Sequence, residues 1–174
     1  MAMHETTKSP FVKRKSIEIL PQMYKYISNY NLFTDAHLNR ALLSIFNFLA
    51  PPQKKEKEPN KDRGQGFIAL GKMSLLVPKT KFMRYVREIF EAIKREIEAA
   101  KPKQPGSKGA APVPTLEVLT CVKFMFKNYG EEFNECFDMV IFTNDLFYFG
   151  FNKQLIETLT ELSKICKAKY KGIT

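Results

Sequence analysis

Tryptophan is absent from this 174-residue chain, and histidine and cysteine are scarce, with two and three copies respectively. Cys121, Cys136 and Cys166 are widely spaced, form no C-x-x-C pair and each lie in an apolar run, so neither a disulfide framework nor a thiolate metal site is indicated. A reducing, cytoplasmic setting is the expectation from that usage. No apolar run approaches the roughly 20 residues of a membrane helix, and the N-terminal stretch MAMHETTKSPFVKRKS lacks the apolar core of a signal peptide. A soluble protein without a transmembrane segment is expected. The kinase signatures H-R-D and D-F-G are missing. His37 has no Cys or His partner at metal spacing and reads as a surface residue, while the neighbours Glu131 and Glu132 suit the positive end of a helix better than acid-base work. The residues announce no catalytic, cofactor-binding or metal-binding set.

What is present is enough for one domain with a core. Apolar residues make up 44% and charged residues 26%, a balance that excludes overall disorder. Lys and Arg outnumber acids 28 to 18, for a formal charge of +10. Such a charge favours phosphate-rich or acidic partners over a Debye length, yet it speaks to association rather than fold, and solubility is its simplest account.

Helical periodicity dominates. Ile17, Leu20, Tyr24 and Ile27 open a stripe, widened by Met23, in a first helix running from Ser16 to near Tyr30, with Pro21 expected to bend or restart it. Residues 1–15 are expected to be extended or disordered. Thr34 or Asp35 can cap a second helix with Leu38, Ala41 or Leu42, Ile45, and Phe48 or Leu49 inward, stopped by Pro51 and Pro52. A lysine-rich loop covers 51–63. Residues 65–77 are apolar on nearly every side and read as a short buried helix ended by Pro78. Phe82, Val86, Ile89, Ile93 and Ile97 mark the cleanest period in the chain.

A Pro/Gly/Ala linker at 101–113 then leads to a helix capped by Thr115, with Val118, Val122, Met125 and Tyr129 inward and Gly130 as terminator. Glu131 and Glu132 are expected to start the next helix, with Phe133, Cys136 or Phe137, Val140 and Ile141 as its stripe; LFYFGF should finish it and turn the chain. Asn152 can cap a last helix carrying Leu155, Leu159, Leu162 and Cys166. Seven amphipathic helices without a convincing strand predict an all-α protein. Pairs beginning near residues 16, 65 and 115 suggest an α-solenoid of antiparallel helix pairs, HEAT or armadillo in type. The unpaired seventh helix suggests a piece of a longer array, since solenoid ends are normally capped by polar faces.

Two motifs invite chemistry. From Gly66 the chain reads G-x-x-x-x-G-K followed by Met73, one residue short of a phosphate loop. Phe67, Ile68, Ala69 and Leu70 favour burial, Met73 has no oxygen for magnesium and no strand precedes, so the reading is a buried helix with Gly71 allowing a close neighbour and Lys72 reaching solvent. Lys54, Lys55, Lys57, Lys61 and Arg63 form a candidate basic contact surface, joined by Lys101, Lys103 and Lys108 and by Lys164, Lys167, Lys169 and Lys171. These clusters lack interleaved aromatics, which argues against single-strand nucleic-acid stacking.

The segments ILPQMYKYISNYNLFTDAHLNRALLSIFNFL, GFIALGKMSLLV, YVREIFEAIKREI, TLEVLTCVKFMFKNYG and GFNKQLIETLTELSKIC resemble, in order, the N-terminal HEAT-repeat region of target of rapamycin kinases. These belong to the phosphatidylinositol-3-kinase-related protein kinases. The resemblance spans about residues 16–172 and departs from the family in both loops. It implies a very large cytoplasmic serine/threonine kinase that controls growth in response to nutrients, its complex recruited to endomembranes and its catalytic domain outside this segment. The segment itself would be a non-catalytic scaffold, with raptor-type or rictor-type regulatory subunits and a second kinase copy as partners. A free-standing basic nucleic-acid-binding module and an unrelated HEAT or armadillo adaptor are the alternatives.

Overall fold

A computed structural model describes residues 9–30, 32–50, 62–102 and 114–170, the side chains of 165–170 excepted. Among these residues the chain forms seven α-helices and no strand: α1 (Pro10–Ser28), α2 (Asp35–Leu49), α3 (Gly64–Leu76), α4 (Lys79–Ala100), α5 (Glu117–Cys136), α6 (Met139–Leu146) and α7 (Lys153–Tyr170), with a 3-10 turn at Phe147–Phe149 after α6. The protein is all-α.

The helices form two rows. α1, α3, α5 and α7 pack side by side in that order, and α3, at the centre, is covered by α1, α2 and α5. α2, α4 and α6 form the second row, joined by longer side chains: Lys81 Nζ lies 2.8 Å from Asp35 Oδ1, Tyr85 donates to Asn39 Oδ1 at 3.1 Å, and Lys101 Nζ reaches Asp145 Oδ2 at 2.9 Å. Packing of each odd helix on the one two places further along is consistent with a helical-repeat solenoid.

Local chemistry sets the boundaries. α1 begins at Pro10, six residues before the expected start, because a proline in the first turn gives up an amide that needs no partner there. It continues through Pro21, which is buried beside Ile17, Leu20 and Tyr24, so apolar burial outweighs the lost backbone bond and the helix does not restart. Thr34 caps α2 in a reciprocal box with His37, whose Nδ1 accepts from the Thr34 amide at 3.2 Å. Val77 is extended at φ −81° and ψ 134°, as the following Pro78 requires, and it separates α3 from α4.

The expected boundary at Gly130 is not used. α5 runs on to Cys136 across a kink at Tyr129 (φ −129°, ψ 26°), and Gly150 is the only glycine with positive φ among the described residues. Aromatic packing accounts for the continuation: Phe133 stacks on Phe126 at 4.2 Å between ring centroids and meets Phe90 at 4.3 Å, which keeps the second half of α5 in the core. The next helix therefore starts not at Glu131 but at Met139, with the Asp138 carboxylate accepting from the amides of Val140 and Ile141 at 3.0 and 3.1 Å. That register buries Phe142 and Leu146 and leaves Cys136, Val140 and Ile141 exposed, against the expected stripe.

Phe147–Phe149 finish this element, Gly150 turns at φ 78°, and Asn152 Oδ1 caps α7 by accepting from the Leu155 amide at 2.9 Å. Asn152→Ala is expected to cost about 1 kcal/mol of stability in urea denaturation; Asn152→Ser should recover most of it, because serine also caps.

Candidate functional site

The stretch that resembles a phosphate loop is α3, the most enclosed helix in the fold. Its backbone is helical from Gly64, and the first amides are already engaged, Gln65 donating to Asp62 O at 3.0 Å and Gly66 to Arg63 O at 2.9 Å. Phosphate cradling needs such amides free and convergent. The glycines serve packing instead. A Cβ on Gly66 would lie 2.8 Å from Leu49 Cδ2, and one on Gly71 would lie 2.8 Å from Phe124 Cδ2 and 3.0 Å from Cys121 Cα. Lys72 is exposed and Met73 is buried, as the sequence pattern predicts.

Of the five basic-surface candidates, Lys54, Lys55, Lys57 and Lys61 lie outside the described residues. Arg63 does not belong with an open cationic surface. Its Nε is 3.1 Å from Glu96 Oε1 and its Nη2 donates to Glu96 Oε2 at 3.2 Å, the two side chains being 12% exposed each. Arg63 Nε also donates to Thr115 Oγ1 at 3.0 Å, and the Thr115 amide donates to Glu96 Oε2 at 3.0 Å. Thr115 is thereby drawn away from the expected capping role; Leu116 occupies the cap of α5 without a side-chain bond. This cluster joins the start of α3, the last turns of α4 and the entry to α5. Sequence reading missed it because its partners lie 33 and 52 residues from Arg63.

The other lysine clusters are partly neutralised. Lys101 bridges Glu98 and Asp145, which raise its pKa. Lys164 pairs with Glu161 at 2.8 Å and holds that carboxyl below its ordinary pKa. Lys123 pairs with Glu157 and lowers its pKa in the same way. Lys103, Lys108 and Lys171, and the side chains of Lys167 and Lys169, lie outside the description. His37 is exposed and acts as a capping partner, a role that spacing alone did not suggest.

A second polar cluster sits at the α5 kink. Lys79 Nζ contacts Glu132 Oε1 at 2.6 Å and lies 5.4 Å from the Tyr129 ring centroid. Burial, with the Glu132 charge adding to it, pushes the Tyr129 phenol up to about 12. Asn128 donates to Ser74 O at 3.0 Å, so the kink is fastened to the end of α3 as well as to the start of α4.

The thiols differ sharply. Cys121 is fully enclosed and burial pushes it up to about 12, whereas Cys136 is exposed. A disulfide reagent at pH 8 should therefore modify Cys136 within the mixing time of a slow assay and leave Cys121 unreacted until denaturant is added, as peptide mapping of the labelled protein would show. Rapid labelling of Cys121 in the native protein would contradict its enclosure.

Among the described residues no group of three or more His, Cys, Asp or Glu side chains could hold a metal ion, and no helix is long and apolar enough to cross a membrane. The chain matches no protein-family model, no curated protein and no solved structure. The features available to a partner are helix faces and exposed apolar side chains, which are spread over α1 and the turn after it, α2, α3, α4, α6 and the turn after it, and α7.

Proposed function

We propose that this chain is a non-catalytic protein-interaction scaffold, a HEAT-repeat segment of a target of rapamycin serine/threonine kinase that controls growth in response to nutrients. The observation that carries the scaffold reading is the packing order: the odd helices pack in sequence, α1 on α3, α3 on α5 and α5 on α7, while polar side chains link α2 to α4 and α4 to α6. The kinase assignment rests on the sequence resemblance over residues 16–172. On this reading the chain acts in the cytoplasm through helix faces and loops, raptor-type or rictor-type subunits and a second kinase copy are the partners, and catalysis belongs to a domain elsewhere in the parent.

Two measurements test it. Mapping the full transcript should show the reading frame continuing into a kinase catalytic domain; a frame without one would leave an adaptor of HEAT or armadillo type. Purified chain immobilised on a biosensor should bind purified raptor-type or rictor-type subunit, and absence of binding to both would remove those partners.

The +10 charge favours one other reading, a free-standing nucleic-acid-binding module. The pairing of Arg63, Lys79, Lys81, Lys101, Lys123 and Lys164 with carboxylates weighs against it, because phosphate would have to displace an existing partner at each. Nonspecific binding strengthens steeply at low salt, so a gel shift with duplex DNA or RNA at about 50 mM salt would support that module and its absence would dismiss it.

A further inference from the structure

We propose that the kink of α5 and the elbow between α3 and α4 form one hinge, closed by a clasp of Lys79 on Glu132, which opens without unfolding the rest of the protein. Tyr129 leaves the helical region at φ −129° and ψ 26°, so α5 is two helical stretches joined at one residue. Gly130 follows, the poorest helix former after proline, and the break falls where the helix is weakest. At the elbow Val77 is extended, as Pro78 requires.

Two polar contacts fasten the kink to the elbow, and they straddle both. Asn128, just before the break, donates to Ser74 O at 3.0 Å, near the end of α3. Glu132, just after it, holds Lys79 Nζ on Oε1 at 2.6 Å, at the start of α4. Ser74 and Lys79 lie on opposite sides of the elbow, as Asn128 and Glu132 lie on opposite sides of the kink. A change of angle at either place is therefore followed at the other, or one of the contacts is lost.

The two stretches of α5 also answer to different helices. The first is tied to α3, where Gly71 abuts the Cα of Cys121, and to α7, whose Thr158 hydroxyl donates to Leu119 O at 2.9 Å. The second carries Phe133, 4.3 Å from Phe90 of α4 and 5.7 Å from Phe142 of α6 between ring centroids. Bending at Tyr129 thus moves the second row of helices against the first. The stack of Phe126 on Phe133 spans the break, but apolar contact is non-directional and tolerates a small change of angle.

Closing the clasp leaves two polar atoms poorly served. Tyr129 OH and Glu132 Oε2 are buried and have no hydrogen-bond partner among the described residues. Opening returns both to water, which offsets part of the lost contact between Lys79 and Glu132 and keeps the open state close in free energy to the closed one. Lys79 is already half exposed, so its release costs little hydration. Segments of low local stability are the ones that move. The hinge uses only this chain's own helices, so it stands or falls separately from the kinase assignment.

The test is amide hydrogen exchange followed by NMR on the 174-residue protein. Three bonded amides report: Val77, donating to Met73 O, and Phe82, donating to Pro78 O, on the elbow, and Phe137, donating to Phe133 O, at the end of α5. Val122, buried in the first stretch of α5, is the reference. Glu132→Gln should speed exchange at Val77 and Phe82 roughly fivefold through local opening, and Lys79→Met should speed Phe137 by about the same factor, since coupling is reciprocal. Val122 should respond to neither. Tyr129→Phe, which removes the unpaired hydroxyl and keeps the ring, should slow all three reporters and raise the melting temperature. The hinge is overturned if each substitution acts only on its own side, or if Val122 accelerates along with the reporters. A destabilised Tyr129→Phe protein overturns it as well, because the hydroxyl would then have a partner in the closed state.

Discussion

Gly71→Ala should destabilise the protein by about 1 kcal/mol, although glycine-to-alanine in a helix interior ordinarily stabilises by a similar amount. The sign reverses because of what lies opposite. A methyl at position 71 would sit 3.0 Å from the Cα of Cys121 and 2.8 Å from Phe124 Cδ2. Phe124 is half-buried and can rotate; the Cα of Cys121, inside the second turn of α5, can move only if the helix moves. Gly71→Val adds two further methyl groups into the same gap, and overpacking of that order costs about 3 kcal/mol.

Urea denaturation of both variants, alone and with Phe124→Ala, separates the two obstacles. Phe124→Ala should relieve the ring's share and leave the backbone's share in place, so the effect of Gly71→Ala shrinks in that background without changing sign. Lys72→Ala, one residue on and exposed, should stay within about 0.5 kcal/mol of the parent and leave the melting temperature in ATP unchanged. A Gly71→Ala protein more stable than the parent would mean that α3 and α5 are further apart than described.

The role of Gly71 could be read from sequence because everything needed was local: four apolar residues before it, a lysine after it and no strand ahead. The stripes of α2, α4 and the first half of α5 were legible for the same reason, since their burial repeats every three to four residues and long helices average out single errors. Asn152 was legible as a cap for the same local reason.

Errors gathered where distant residues decide. Gly130 looked like a terminator, but the stacking of Phe133 on Phe126 carries α5 through it. Once α5 runs to Cys136, the chain enters α6 at Asp138, and the register of the apolar residues shifts so that Val140 and Ile141 face outward. One missed continuation thus concealed the exposure of Val140 and Ile141. Thr115 illustrates the same limit on a smaller scale: its spacing fits a cap, and only the arrival of Arg63 from 52 residues away gives its hydroxyl a different partner.

Arg63 is where local and distant readings differ most in consequence. Read with its lysine neighbours it is a surface cation, and Arg63→Ala would then change stability by less than about 0.5 kcal/mol. In the structure it forms a two-pronged pair with Glu96, and both side chains are 12% exposed. Removing the guanidinium leaves a carboxylate largely cut off from water with the Thr115 amide still donating to it, so Arg63→Ala is expected to cost about 3 kcal/mol, toward the lower end for a broken buried pair. Glu96→Ala should cost a similar amount.

The double substitution Arg63→Met with Glu96→Leu should recover most of either loss, because two apolar side chains of matching bulk need no counter-charge. A double-mutant cycle closed with Arg63→Ala, Glu96→Ala and the two combined then yields a coupling energy above about 1 kcal/mol for a direct pair, where surface charges give a few tenths. Thr115→Val adds a discriminating arm: it removes the hydroxyl that accepts from Arg63 while keeping the amide that donates to Glu96, so its cost should stay near 1 kcal/mol. If Arg63→Ala proves neutral while the loop lysines also prove neutral, the arginine is not a strut between α3, α4 and α5.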